Sequence, residues 1–308
     1  MTLKSHKTGY VFALAAFTIF AVQDAISKHL GGVYPPVMIA MVRYWAFAVF
    51  AVIIAARSNV GLNAAVRTRR PLLQLLRGVL LATQIVTAIM SFSIAGLAHS
   101  QAIFSATPLL VAMLSVPILG EHVGWRRWTA IVVGLCGVLV ILKPDVGMVD
   151  TTLAIPVLNA ILLALYAIVT RLVSRDDPAA TSFFYIGVVG AVVMSAIGPF
   201  YWTPLSTADW GWMALLCATG MSSHYCLIKA YDNLDAVLVQ PISYLQLVFA
   251  CLIGMAVFGE TLHLNVIVGS VIVVAAGLFT VWREARNRRA RLSAAGPDDL
   301  LPVSTQAK

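Results

Sequence analysis

The chain has 308 residues, 60% of them hydrophobic and 11% charged, with a mean hydropathy of +0.89 and a formal net charge of +8. A soluble domain carries about 25% charged residues, so a water-soluble enzyme or binding module is excluded. The basic excess lies between apolar runs and in the tail Arg283, Arg286, Arg288, Arg289, Arg291, a pattern of membrane topology and not of a nucleic-acid surface.

The apolar runs are about 20 residues long, enough to cross a hydrocarbon core about 30 Å thick. Ten spans are predicted, at about 9–28, 35–56, 72–94, 99–118, 126–142, 153–172, 180–198, 210–229, 236–258 and 263–282, separated by turn residues such as Gly31-Gly32, Pro144-Asp145 and Asp176-Asp177-Pro178. The first span ends in Gln23, Asp24 and Lys28 and has no AxA-like cleavage site, so it is expected to remain as a helix. Asp24 and Lys28 stand at i and i+4, the spacing of a pair on one helix face. The pair reads either as an interfacial ion pair with Lys28 reaching outward, or as an external gate where Gln23 or Asp24 meets solute. A buried Asp24 would also suit a coupling proton.

The second span carries Arg43 well inside the bilayer, where a charge costs at least about 2.5–3.5 kcal/mol and needs a partner. That partner is an acidic side chain or the anionic group of a solute. Arg77 opens the third span and is expected to snorkel to the nearer interface. Gln84, near the middle of that span, either glues helices together or offers both donor and acceptor to a polar solute. Trp45 and Tyr166 are core packing or a stacking surface for a planar solute.

The eighth span holds Ser222, Ser223, His224 and Tyr225, and His224 is either hydrogen-bonded structure or a group titrating near neutrality. In the ninth, Gln240, Ser243 and Tyr244 fall at i, i+3 and i+4 on one face, with Gln246 close by and Pro241 freeing a backbone carbonyl in the same turn. A polar face beside a broken backbone is the strongest pocket signal in the chain. Glu121 and Glu260 each precede a helix and read as acids favoured by its N-terminal dipole. Cys136, Cys217, Cys226 and Cys251 lie in apolar stretches without a CxxC pair and read as small hydrophobes. Beyond Arg291 the tail reads as disordered.

With the N-terminus placed in the cytoplasm, 17 of the 21 Lys and Arg fall on the cytoplasmic side; Lys28 and Lys143 fall opposite, and Arg43 and Arg77 lie within spans. So strong a bias predicts an even number of spans with both ends inside. Two segments resemble each other, SATPLLVAMLSVPILGE at 105–121 and YLQLVFACLIGMAVFGE at 244–260, spaced by close to half the helical region. Each is followed by an apolar helix with small residues, Gly134 and Gly137 in one, Gly269 and Gly277 in the other. Five spans being odd, the second copy enters the membrane inverted, a plan that recurs in secondary transporters.

On these residues the chain resembles the drug/metabolite transporter superfamily, specifically its EamA-type ten-helix carriers. The resemblance is densest over 230–284, through the Ala-Tyr before the loop, Pro241 and Tyr244, Phe-Gly-Glu at 258–260 and the last Gly-rich helix. The first half joins it through Asp24, Lys28, Arg43, Arg77-Gly78, Thr107-Pro108 and Gly120-Glu121. It implies an all-α integral membrane fold of ten helices as two inverted repeats, over 1–146 and 147–285, with a basic and then disordered cytoplasmic tail at 286–308. The implied location is the inner membrane.

The implied function is a secondary active transporter that moves a small polar organic metabolite by alternating access. A vitamin such as riboflavin, an amino acid or an S-adenosylmethionine-like solute is the expected cargo. The alternatives are an exporter of drugs or metabolites, or a lipid flippase. GxxxxGK[ST], HExxH and GxSxG are absent from the sequence, and neither ATP hydrolysis nor intramembrane catalysis is expected. No cofactor or metal is expected. The partners read are a small-molecule solute, membrane lipid and protons as coupling ion, with the protein a monomer or homodimer. The expected substrate-binding set is Gln23, Asp24, Arg43, Gln84, Tyr166, His224, Gln240, Ser243, Tyr244 and Gln246.

Overall fold

The computed structural model describes residues 6–57, 61–120, 124–142, 151–174, 176–234 and 236–294, and among these there is no strand. The helices are α1 (His6–Gly31), α2 (Pro36–Arg57), the single turn α3 (Leu62–Ala65), α4 (Pro71–Ile94), α5 (Leu97–Phe104), α6 (Thr107–Leu119), α7 (Trp125–Leu142), α8 (Ala154–Val173), α9 (Ala179–Ile197), α10 (Thr207–Asn233), α11 (Ala236–Phe258) and α12 (Leu264–Ala294). Nine segments among the described residues are long and apolar enough to cross a bilayer. A further helix, α10, lies where the eighth span is predicted and is 27 residues long but diluted by its Ser, His, Gly and aromatic residues. The protein is a multi-pass membrane protein.

Proline and glycine set most boundaries. Pro36 and Pro71 open α2 and α4, where the missing N–H costs nothing. The fourth traverse, predicted as one helix over 99–118, is two: α5 ends at Phe104, and α6 begins at Thr107 with Pro108 in its first turn. Pro108 cannot donate to the preceding turn, so the ladder breaks there. At the other end, α12 continues past the predicted 282 to Ala294 and carries the basic segment with it.

The most extensive contacts join a helix from the first 142 residues to one from the remainder. α1 lies along α10 and α11, α4 and α6 along α8, α2 along α9, α5 against α11, and α7 along α12. One buried cluster, with Phe92, Leu97, Leu109, Ile131, Leu247 and Val273, fills the space between α4–α7 and α11–α12. A second, with Tyr34, Met38, Tyr44, Ile89, Met194 and Leu216, joins α1, α2, α4, α9 and α10. The α7–α12 seam depends on two glycines. A methyl group on Gly137 would meet the Gly269 carbonyl, and one on Gly269 would meet the Gly137 carbonyl, so the two backbones nearly touch.

Two sequence expectations change here. Lys28 pairs with Glu260 and not with Asp24. Glu260, expected to favour the helix that follows it, instead caps α5: its oxygens accept from the N–H groups of Leu97 at 2.7 Å and Ala98 at 2.9 Å. The caps of membrane helices need partners wherever water is scarce, and a carboxylate serves two exposed N–H groups at once. Gly96 admits it, having φ of +87° and no side chain to obstruct the carboxylate. Burial raises the pKa of Glu260, but Lys28 and the two N–H groups outweigh this and hold it below the usual range. Glu121 lies outside the described residues.

The α7–α12 seam predicts that Gly137→Ala lowers thermal stability by about 1–3 kcal/mol. Gly211→Ala, in open space on α10, is expected to raise it by about 0.5–1 kcal/mol; equal effects on the unfolding midpoint would contradict the seam. The depressed pKa of Glu260 means its contribution is complete above about pH 4.3 and is lost as pH falls through the folded-state value. Glu260→Gln is therefore expected to unfold at a lower temperature than the parent at pH 7, with the gap shrinking as pH drops below about 4. A gap independent of pH would show that the carboxylate charge contributes nothing.

Candidate functional site

The polar groups at the centre of the bundle come from α1, α2, α5, α10 and α11. Asp24 is buried on α1, and both its hydrogen bonds converge on one oxygen: Gln101 of α5 donates to Oδ2 at 2.5 Å and Gln246 of α11 donates to it at 2.7 Å. Among the described residues no donor reaches Oδ1. Gln23, one residue earlier, is buried with its Oε1 unpartnered.

Arg43 of α2 is near enough to interact with Asp24 through its charge. Among the described residues it nevertheless forms neither an ion pair nor a hydrogen bond. Its guanidinium lines a narrow cleft with Phe47 of α2, Leu81 and Ile85 of α4, and Gly220 and His224 of α10. Gly220 keeps the cleft open towards α1: a side chain there would point at Gln23 Oε1 and the Arg43 guanidinium. His224 is boxed by aromatic rings, with centroids 5.3 Å from Phe20 and 5.8 Å from Phe47.

Of the expected residues, Gln23, Asp24, Arg43, His224 and Gln246 therefore come together. Gln84 is half-buried on α4 between the cleft residues Leu81 and Ile85, and its carbonyl accepts from Thr87. Tyr166 does not itself line the cleft; its ring is 5.7 Å from the guanidinium of Arg77 and it is near enough to interact with Tyr44, which does line it. Arg77, expected to snorkel, is 2% exposed and held by protein: it donates to the Ser182 carbonyl at 2.9 Å and towards Gln74, beside the α4 N-terminus. Tyr244 sends its hydroxyl over Gly277 of α12, and Ser243 donates to the carbonyl of Gln240 on its own helix at 2.7 Å. Trp45 is 44% exposed and donates to Ser195 of α9.

Sequence reasoning did not single out Gln101, although an amide within an apolar helix is the same signal that marked Gln84. Cys217 and Gly220 carry no sequence signal of their own.

The halves are also tied near the α4 N-terminus. Asp177, between α8 and α9, accepts from Thr68, from the Arg69 N–H at 2.8 Å and from Gln74 at 2.9 Å. Among the described residues no three His, Cys, Asp or Glu side chains converge to hold a metal ion. What the centre offers, among the described residues, is a cation with no hydrogen bond or close ion pair, a carboxylate with one free oxygen and an unpartnered amide oxygen. Together they suit recognition of a charged solute.

Comparison with known proteins agrees with a carrier. The profile of the EamA-like transporter family matches twice, at residues 7–143 and 152–282. The chain is 27% identical to the S-adenosylmethionine uptake transporter of Rickettsia prowazekii (strain Madrid E), over 92% of this chain and 96% of that protein. It is likewise 27% identical to a riboflavin transporter of Vibrio cholerae serotype O1, over 94% and 99% of the two chains. With the pseudopaline exporter CntI of Pseudomonas aeruginosa (strain UCBPP-PA14) it shares 23% identity over 90% and 96%. A solved crystal structure superposes with a TM-score of 0.62 at 15% identity, covering 92% of this chain and 99% of that one, a likeness of fold alone. With most of its length inside two matches to one profile, the chain belongs to the EamA-like transporter family of the drug/metabolite transporter superfamily.

Proposed function

We propose that the protein is a secondary active carrier of the inner membrane, with both termini cytoplasmic, that moves a small organic metabolite bearing both a positive and a negative group. The observation that carries this reading is the Arg43 guanidinium, without a hydrogen bond or close ion pair among the described residues, set beside an Asp24 carboxylate whose Oδ1 no described donor reaches. A solute of the amino-acid or S-adenosylmethionine kind answers both groups. Its carboxylate meets Arg43, and its cationic end meets Asp24 Oδ1 and Gln23 Oε1. The rings around His224 suit a flat heterocycle at the far end. The relative from Rickettsia prowazekii named for S-adenosylmethionine uptake favours the same class.

Alternating access between two inverted five-helix repeats is the proposed mechanism. Support comes from the double profile match and from the helix pairing. The first helix of each half lies on the third and fourth of the other, second lies on second and fifth on fifth. A two-fold axis in the membrane plane generates that pattern. Lys28–Glu260 and the Asp177 cluster join the halves at opposite ends of the bundle, as outer and inner closures would. Asp24 is the proposed proton-coupling group. A reading as exporter draws on the pseudopaline exporter among the relatives and uses the same site in reverse.

In proteoliposomes the protein is expected to take up labelled S-adenosylmethionine saturably, with riboflavin as the comparison solute. Arg43→Gln is expected to raise KM about 10- to 100-fold, the loss of a charged hydrogen bond. Asp24→Asn is expected to remove stimulation by a pH gradient. Unchanged KM and maximal rate in Arg43→Gln would place solute recognition elsewhere.

A further inference from the structure

Along the α7–α12 seam runs a shallow apolar groove that solute recognition does not use. Its walls are Ala130 and Val133 of α7 and Ala276 and Phe279 of α12, and Trp125 and Arg126 frame one end. Thr129, the polar residue of the wall, donates its hydroxyl back to the Trp125 and Arg126 carbonyls at 3.2 and 2.9 Å, so the wall stays apolar. The framed end is basic. Arg126 lies 5.4 Å from the ring of Trp125 and Arg286 lies 5.8 Å from the ring of Trp282, and these indoles are 71% and 54% exposed. Gly134 stands against Ala276. From that level Arg126 is about two turns back along α7 and Arg286 nearly three turns on along α12, which brings both to a similar height. Among the described residues neither arginine is in an ion pair.

We infer that this groove binds an anionic phospholipid, with its phosphate at Arg126 and Arg286 and an acyl chain lying along Val133, Ala276 and Phe279. Tryptophans with clustered arginines at one membrane interface are the chemistry that retains acidic headgroups. A second copy of the chain is the poorer occupant: in the same membrane orientation its own Arg126 and Arg286 would face these two across the contact.

The test is native mass spectrometry of the purified full chain with phosphatidylglycerol and phosphatidylcholine at equal mole fraction, alongside thermal unfolding. The parent is expected to retain phosphatidylglycerol roughly tenfold over phosphatidylcholine, and its unfolding midpoint to rise with phosphatidylglycerol but not with free glycerol 3-phosphate. The double variant Arg126→Gln, Arg286→Gln is expected to lose the preference, and Arg57→Gln to keep it. Val133→Trp, which fills the slot and leaves the charges, is expected to lower phosphatidylglycerol retention, so the inference does not hang on one variant's folding. Equal retention of the two lipids by the parent overturns it, as does a preference that survives both groove variants, a midpoint raised as much by free glycerol 3-phosphate, or a dimer that occupies this face and excludes lipid.

Discussion

Hydrocarbon offers no hydrogen bonds, so every polar group carried into the membrane must find its partner inside the protein. Most of this chain obeys. Thr18, Thr83, Ser93 and Thr280 return their hydroxyls to carbonyls four residues earlier on their own helices. Thr87 also reaches Asn159 across the α4–α8 contact, and Asn265 donates to the Ile141 carbonyl across the α7–α12 seam. The exposed N–H groups of α5 are met by Glu260, supplied from beyond α11. Among the described residues several other buried polar atoms also lack a partner, the hydroxyls of Ser27, Tyr44, Ser100 and Tyr244 among them, but near the centre three such groups fall together: Arg43 without a bond, Gln23 Oε1 without a donor and Asp24 with one oxygen idle.

Those three groups occupy the place where helices of the two halves meet. Asp24 is held by Gln101 from α5 and by Gln246 from α11, so its position depends on both halves at once. The ties at the two ends have the same character: Lys28 with Glu260, and Thr68 and Gln74 with Asp177, each join an early residue to a late one. A rocking motion of one half against the other would strain these ties and reshape the cleft together. In the proposed transport cycle binding and conformational change would be coupled, because the same interface would carry both.

Much of the architecture was legible in the sequence, because span length and the Lys and Arg bias act locally and leave local marks. Of the ten predicted spans, nine are long and apolar enough to cross a bilayer among the described residues, and α10, at the eighth predicted span, is diluted by polar residues that include His224 of the cleft. What could not be read was choice of partner. Asp24 and Lys28 have the spacing of a helix-face pair, yet the fold brings each its partners from far along the chain, Glu260 to Lys28 and the amides of Gln101 and Gln246 to Asp24. The same limit applies to Glu260, whose neighbour in sequence is α12 and whose neighbour in space is α5. On α11 the periodicity placed Gln240, Ser243 and Tyr244 on one face, but it could not say that Tyr244 looks towards α12 while Gln246 reaches Asp24. For Arg77 the sequence could not show that Ser182 and Gln74 supply its partners.

In the proposed carrier Arg43, which has no hydrogen bond among the described residues, serves the anionic group of the solute. The direct measurement compares binding of S-adenosylmethionine with binding of its decarboxylated counterpart, by calorimetry, in the parent and in Arg43→Lys and Arg43→Gln. The account predicts that the parent prefers the carboxylate-bearing compound by about tenfold or more, that lysine keeps part of that preference and that glutamine abolishes it. A preference for the carboxylate undiminished in Arg43→Gln would contradict the account.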